Sequence, residues 1–212
     1  MDIILLDASL ELVPDSIRNH PSVIKNSERF GKDPGRTLLD KSLHYHAMTY
    51  LPNREKRGRP DILHSSLVLL LSEPSFRGDL YIHTLESKII RVDRRMRPPK
   101  NYLRFVGLME QLLVEGRVPP RGNPLMELLD ISLKELVEER GLVLLHEEGE
   151  RRGVRTLCGE KAFLGVGAFP HGEFSEEVTL LARETVSISE HVLETQNVIC
   201  RLLCGCSLSH LG

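Results

Sequence analysis

The stretch Ala162–Phe174, AFLGVGAFPHGEF, sets the terms on which the rest of this chain can fold. Its apolar opening (Ala162, Phe163, Leu164, Val166) predicts a buried strand. Gly165, Gly167, Pro170 and Gly172 then supply the residue types that tight turns and close backbone approach require. Ser175, Glu176 and Glu177 follow as a helix start, with acids placed at the positive end of the helix dipole. Strand, glycine loop and helix in succession build a small-molecule site at the carboxyl edge of a sheet.

The flanking segments supply such a sheet. Ile3–Leu6 is a continuous apolar run bounded by Asp2 and Asp7, as in a strand covered on both faces. Residues 14–36 are polar, with Pro14, Pro21, Gly31, Pro34 and Gly35, and predict irregular structure; Leu38, Leu39, Leu43, Ala47 and Tyr50 then recur at helical spacing. Asp61 is an expected N-cap for an apolar helix from Ile62 to Leu71, ended by Pro74. Leu80–Thr84 and Lys88–Asp93 predict a hairpin, and Asn101 caps a helix with Phe105, Leu108, Met109 and Leu112 on one face. Ser132 and Glu135 form a capping box, and Gly141 precedes a buried strand over Leu142–Leu145. Glu150–Glu160 predicts a hairpin or loop, with a helix near Glu176–Arg183, a strand around Val186–Ile188 and a closing amphipathic helix. Five buried strands alternating with helices predict an α/β fold, a mostly parallel sheet flanked by helices.

A chain of 212 residues suffices for one domain with a real core. Aromatic residues are scarce and Trp is absent, so that core is expected to be aliphatic. The net charge of −2 argues against a protein that coats nucleic acid over its whole surface, but not against a local basic site. The N-terminus lacks the basic region of a signal peptide, and the longest later apolar run, Leu67–Leu71, is too short for a membrane span. Cys158 and the trio Cys200, Cys204 and Cys206 do not form a disulfide framework; reduced, structural thiols in a cytoplasmic protein are expected.

Three strand ends point to one sheet edge: Leu145–Gly149, the GVGAFPHG loop and Ser187–Glu190. Their backbone groups suit an adenine ring, and Glu147 or Glu148 suits a cationic ligand. Gly165-x-Gly167 is not a dinucleotide fingerprint, because Pro170 and His171 stand where the helix would begin, which sets aside an oxidoreductase. The basic segments form a second constellation. Arg54, Lys56, Arg57 and Arg59 surround one acid, and Arg91, Arg94, Arg95, Arg97, Lys100 and Arg104 surround another, beside Tyr102, which could stack on a base. Proline-stiffened arginine loops with an aromatic suit phosphate contacts and single-stranded RNA, although one such run alone is more often a solvated face. His44, His46 and His64 have no spacing that fixes a metal site.

RPDILHSSL (59–67), YIHT (81–84), RVDRRMRPPKNYLRFVGLMEQLL (91–113), GAFPHGEF and SISEHVLET closely resemble the ribosomal small-subunit RNA pseudouridine-N1-methyltransferases, ribosome-biogenesis factors of the SPOUT superfamily. The resemblance runs nearly end to end, and the compact chain, without long extensions, looks like the archaeal form. It implies one SPOUT-type domain over residues 1–212 with a C-terminal trefoil knot, a homodimer, and S-adenosyl-L-methionine (SAM) as methyl donor. It implies that Leu145, His146, Gly149, Gly165, Gly167, Ala168, Phe169, Gly172, Ile188, Ser189 and Leu193 hold the cofactor. Basic regions around 52–61 and 91–104 would bind an rRNA hairpin containing pseudouridine, through Arg57, Arg59, Arg94, Arg95, Arg97, Lys100 and Arg104. Lys100 stands where relatives often have Arg, which forgoes bidentate phosphate geometry. Asp61 and Arg59 are the expected catalytic pair, Asp61 orienting the base or accepting its proton and Arg59 anchoring the nucleotide. Ribosomal proteins or other assembly factors are further expected partners. The alternative is a non-catalytic rRNA-binding assembly factor on the same fold.

Overall fold

The computed structural model describes residues 1–207. In chain order the elements are β1 (Asp2–Ala8), α1 (Pro21–Phe30), α2 (Lys41–Met48), α3 (Pro60–Ser72), β2 (Leu80–Thr84), β3 (Ile89–Val92), α4 (Tyr102–Glu115), β4 (Arg117–Val118) and β5 (Met126–Leu129). Then follow α5 (Leu133–Val137), β6 (Leu142–Arg151), α6 (Val154–Leu157), β7 (Phe163–Gly167), α7 (Glu176–Leu181), β8 (Ala182–Ser187) and α8 (Thr195–Ser207). The strands make one sheet in the order β4-β5-β3-β2-β1-β7-β6-β8. β2, β1, β7, β6 and β8 run parallel, and β3, β5 and β4 extend the sheet in antiparallel pairs. The predicted mostly parallel α/β sheet and the β2–β3 hairpin are both present; β4 and β5 are too short to leave a pattern in the sequence.

β1 explains why Ile3–Leu6 is apolar without alternation. All four side chains are fully buried. Ile3 and Leu5 pack with Leu63, Leu67, Phe105 and Ile199, while Ile4 and Leu6 pack on the other face with Leu133, Phe163 and Val178. Gly165 in β7 belongs to this packing: a Cβ there would lie 2.4 Å from Leu6 Cδ1 and 3.0 Å from Leu142 Cδ1. Its lack of a side chain admits Leu6, and it is a core residue.

Four local expectations are corrected. Residues 21–30 form α1, because Pro21 occupies the first turn, where its missing N–H costs nothing, and Gly31 ends the helix at φ 61°. The N-cap of α3 is Arg59; Pro60 begins the helix and Asp61 lies in the first turn without capping it. Glu150–Glu160 is largely the end of β6 followed by α6. The expected reduced thiols are also wrong in part, since Cys158 and Cys206 form a disulfide across Cα atoms 5.2 Å apart. Sequence clustering hid this pair, which exists because α6 and α8 pack closely; a Cβ on Gly205 would meet Val154 Cγ1 at 2.5 Å. Cys200 and Cys204 are free and exposed.

Candidate active-site cleft

β6 leaves the sheet after Leu145 and returns at Glu150, both opposite Val186 of β8. Residues 146–149 are therefore extruded as a bulge at the sheet edge, although the strand continues on either side. Gly149 is needed where the backbone re-enters, since a Cβ would meet Val186 N at 2.5 Å. The loop after β7 lies beside it. Ala168 is fully buried and locked to β1, its N–H donating to Leu6 O (2.8 Å) and its carbonyl accepting from Ser9 N (3.1 Å). Phe169 and Phe174 then meet edge to face, centroids 5.2 Å apart, over Gly167. Gly172 reverses the chain at φ 100°, a conformation other residues rarely adopt. In the third loop Ser187 Oγ donates to Ser189 O (2.8 Å) and Ser189 Oγ accepts from His191 N (3.1 Å).

These loops enclose a cleft of about 500 Å³. Leu145, His146, Gly167 and Phe169 line it, with Gly172, Ile188, Ser189 and Leu193. Gly149, Gly165 and Ala168, the other three expected cofactor residues, stand outside the lining and shape the backbone or the core behind it. Arg59 and Ile62 of the α3 start complete one wall. The expected acceptor-side arginine and the glycine loop thus share one cavity. Two bonds fix this arrangement: Thr195 Oγ1 donates to Gly167 O (2.7 Å), and Gln196 Nε2 donates to Ser65 Oγ (2.6 Å). Sequence reasoning named none of Glu194, Thr195 and Gln196 as site residues, although SISEHVLET runs through Thr195, because the partners of Thr195 and Gln196 are 28 and 131 residues away.

Arg59 and Asp61 form a two-pronged ion pair, Nε to Oδ1 and Nη2 to Oδ2, each 2.8 Å. The hydrogen bond to Asp61 raises the Arg59 pKa, with the charges of Asp61, Asp40 and Glu194 adding to it. The side chain keeps its charge and a fixed orientation, and Nη1 has no partner among the described residues.

The two basic segments divide. Arg57, expected on RNA, turns inward: its Nε donates to Glu11 Oε1 (2.8 Å) and its Nη2 to the other oxygen of that 1% exposed carboxylate. Lys56 is buried as well. Arg94, Arg95 and Arg97 are exposed and line a groove of about 520 Å³ with Arg77 and Arg91. Arg95 pairs with Asp93, and its hydrogen bonds hold that carboxyl down at about 2. Lys100 and Arg104 are exposed, with no side-chain partner among the described residues. The loop is tied to α3 by His64 Nε2, which donates to Pro99 O (2.7 Å). Tyr102 is half-buried and donates its hydroxyl to Asp40 Oδ2 (2.5 Å), so it anchors α4 where a freely stacking ring was expected. Burial and that bond push its pKa far up. Among the described residues, no group of three or more His, Cys, Asp or Glu could hold a metal ion, and no helix is long and apolar enough to cross a membrane.

Residues 3–207 match the EMG1/NEP1 methyltransferase family. The chain belongs to that family. It is 55% identical over 210 residues to the ribosomal RNA small subunit methyltransferase Nep1 of Saccharolobus solfataricus, spanning 98% of this chain and 96% of the relative. The corresponding protein of Sulfurisphaera tokodaii is 52% identical over 216 residues, spanning 100% and 98%. The crystal structure of Archaeoglobus fulgidus Nep1 bound to S-adenosylhomocysteine superposes with a TM-score of 0.94 at 41% identity, covering 100% of this chain and 99% of that one.

Proposed function

We propose that this chain methylates N1 of a pseudouridine in small-subunit rRNA with SAM as donor, acting in the cytoplasm as a homodimer during ribosome assembly. The chain is read as one SPOUT-type domain whose C-terminal loops are threaded as a trefoil knot. One observation carries the reading: Arg59, held by Asp61, opens into the same cleft as three backbone loops. The names of the Saccharolobus and Sulfurisphaera relatives and the S-adenosylhomocysteine in the Archaeoglobus protein support it.

The cleft residues fit this donor. The volume lies in the range of ligand sites, ~300–1,000 Å³. Leu145, Val166, Ile188 and Leu193 supply apolar walls for a flat base, and the loops between them supply backbone polar groups. Glu147 and Glu194 place negative charge on the rim, suited to a cationic ligand. When bound, SAM supplies an electrophilic methyl group on a sulfonium sulfur.

The chain's own work is to hold and polarise the acceptor. Pseudouridine has an N1–H because its ribose is attached through carbon, whereas uridine N1 already carries the sugar. Methylation replaces that proton, and negative charge grows on the uracil oxygens as it leaves. Arg59, fixed by Asp61, offsets that charge with donors that need no reorganisation. Only Arg59 of the pair lines the cleft, which favours Asp61 as the orienting group. Arg94, Arg95, Arg97, Lys100 and Arg104 would hold the hairpin backbone next to α3. Labelled SAM incubated with the protein and unmodified or pseudouridylated small-subunit rRNA tests the reading. Label at one pseudouridine is expected; rRNA binding with no label supports the non-catalytic assembly factor instead.

A further inference from the structure

The carboxyl end of β1 touches both the cleft loop and the segment that carries Arg59. Asp7 adopts φ 49°, uncommon outside glycine and kept only where surrounding contacts enforce it. Its carboxylate, 1% exposed, accepts from Ser175 N (2.6 Å), Ser175 Oγ (2.9 Å) and Lys56 Nζ (3.0 Å). Lys56 is itself only 7% exposed, which lysine tolerates only when paired. Its ammonium also donates to Glu173 O (2.6 Å) and stands 4.3 Å from the centre of the Phe169 ring. One ammonium therefore grips the cleft loop at 169 and 173, and through Asp7 at 175. Two residues beyond Asp7, Ser9 N donates to Ala168 O (3.1 Å). Ser9 Oγ donates to Lys56 O and accepts from Arg59 N (3.4 Å).

Neither Asp7 nor Lys56 lines the cleft; both act from behind it. A buried ion pair seldom stabilises a fold more than well-packed apolar side chains of the same size would. What this pair does is link two pieces of chain more than a hundred residues apart, Lys56 to Glu173, at defined distances.

We propose that Asp7, Ser9 and Lys56 are positioning residues that set the cofactor loop against Arg59, and so align methyl donor and acceptor. The proposal rests on the methyltransferase reading above. The test is the double variant Asp7→Asn/Lys56→Met, which removes both charges together and leaves no uncompensated charge buried. Calorimetry with S-adenosylhomocysteine and single-turnover transfer to a pseudouridine hairpin are the readouts, with a melting curve beside them. A folded double variant is expected to bind S-adenosylhomocysteine about tenfold more weakly and to transfer at least ~10-fold more slowly when saturated, while hairpin affinity stays at the parental value. Parental affinity and rate in the folded double variant overturn the proposal.

Ser9→Ala decides the matter independently if the double variant does not fold. It cuts the two hydrogen bonds by which Ser9 Oγ links Lys56 to Arg59, so transfer should slow at least about fivefold, the worth of one of them, at unchanged cofactor affinity; an unchanged rate overturns the proposal. A parent protein that binds no S-adenosylhomocysteine overturns the methyltransferase reading itself, and this inference with it.

Discussion

Residues 52–61 carry Arg54, Lys56, Arg57 and Arg59, and residues 91–104 carry six basic side chains. In the first stretch the charge of all but the exposed Arg54 turns inward. Lys56 meets Asp7, Arg57 meets Glu11, and Arg59 is clamped by Asp61 at the cleft wall. In the second it turns outward, four arginines lining an open groove and Lys100 and Arg104 standing free of partners among the described residues. The difference lies in what each stretch packs against. The first lies across the end of β1, where Asp7 and Glu11 are buried acids that need cations; the acids that meet the second, Asp93 and Glu127, are only half-buried. A count of arginines therefore overstates the RNA surface, and the buried acids identify which cations to subtract.

Substitutions should separate the two stretches. The largest effect is expected for Arg57→Ala, which strands the Glu11 carboxylate: about 3 kcal/mol of stability lost in denaturant titration, since breaking a buried pair leaves an uncompensated charge. The salt dependence of hairpin binding should not change. Asp61→Asn frees Arg59 without unfolding α3 and should slow methyl transfer by ~100-fold with little change in melting temperature, because misplacement of a positioning group carries a cost of that order. Full turnover would exclude the orienting role.

A third test uses acid. Burial pushes the Asp7 carboxyl up, but hydrogen bonds from His83, Ser175 and Lys56 outweigh it and hold it at about 2, against an ordinary 3.8. Folding thus favours its ionised form, so a contribution of about 2 kcal/mol is complete above pH ~4 and fades as pH falls toward ~2. Asp7→Asn should flatten that part of the stability–pH curve. The smallest effect belongs to the outward stretch: Arg97→Ala should weaken hairpin binding and reduce the salt slope by ~0.7 for one phosphate contact on a single strand. Stability should hold within ~0.5 kcal/mol, as for most exposed positions.

Much of the frame was legible in local patterns. The apolar run Ile3–Leu6, the Asn101 cap and the Ser132–Glu135 box each report physics that acts within a few residues. The carboxyl-edge loops were legible too, because glycines and strand ends mark a sheet edge. What escaped depends on long-range contact. Gly165 resembles a ligand-contacting glycine until Leu6, from the other end of the chain, is seen to occupy its empty side-chain position. Arg57 resembles a phosphate contact until Glu11 is found buried beside it. Cys158 and Cys206 are 48 residues apart and meet only because α6 lies on α8. Asp61 has the chemistry of an N-cap, but Pro60 starts the helix one residue earlier and leaves the carboxylate to Arg59.

In the proposed reaction the cleft serves an acceptor nitrogen that only an isomerised base exposes. Two RNA hairpins identical except for pseudouridine or uridine at one position, each incubated with the protein and labelled SAM, test it directly. Label on the pseudouridine hairpin alone, at N1 by mass fragmentation, is the predicted result. Equal labelling of both hairpins, or label elsewhere on the base, would contradict it.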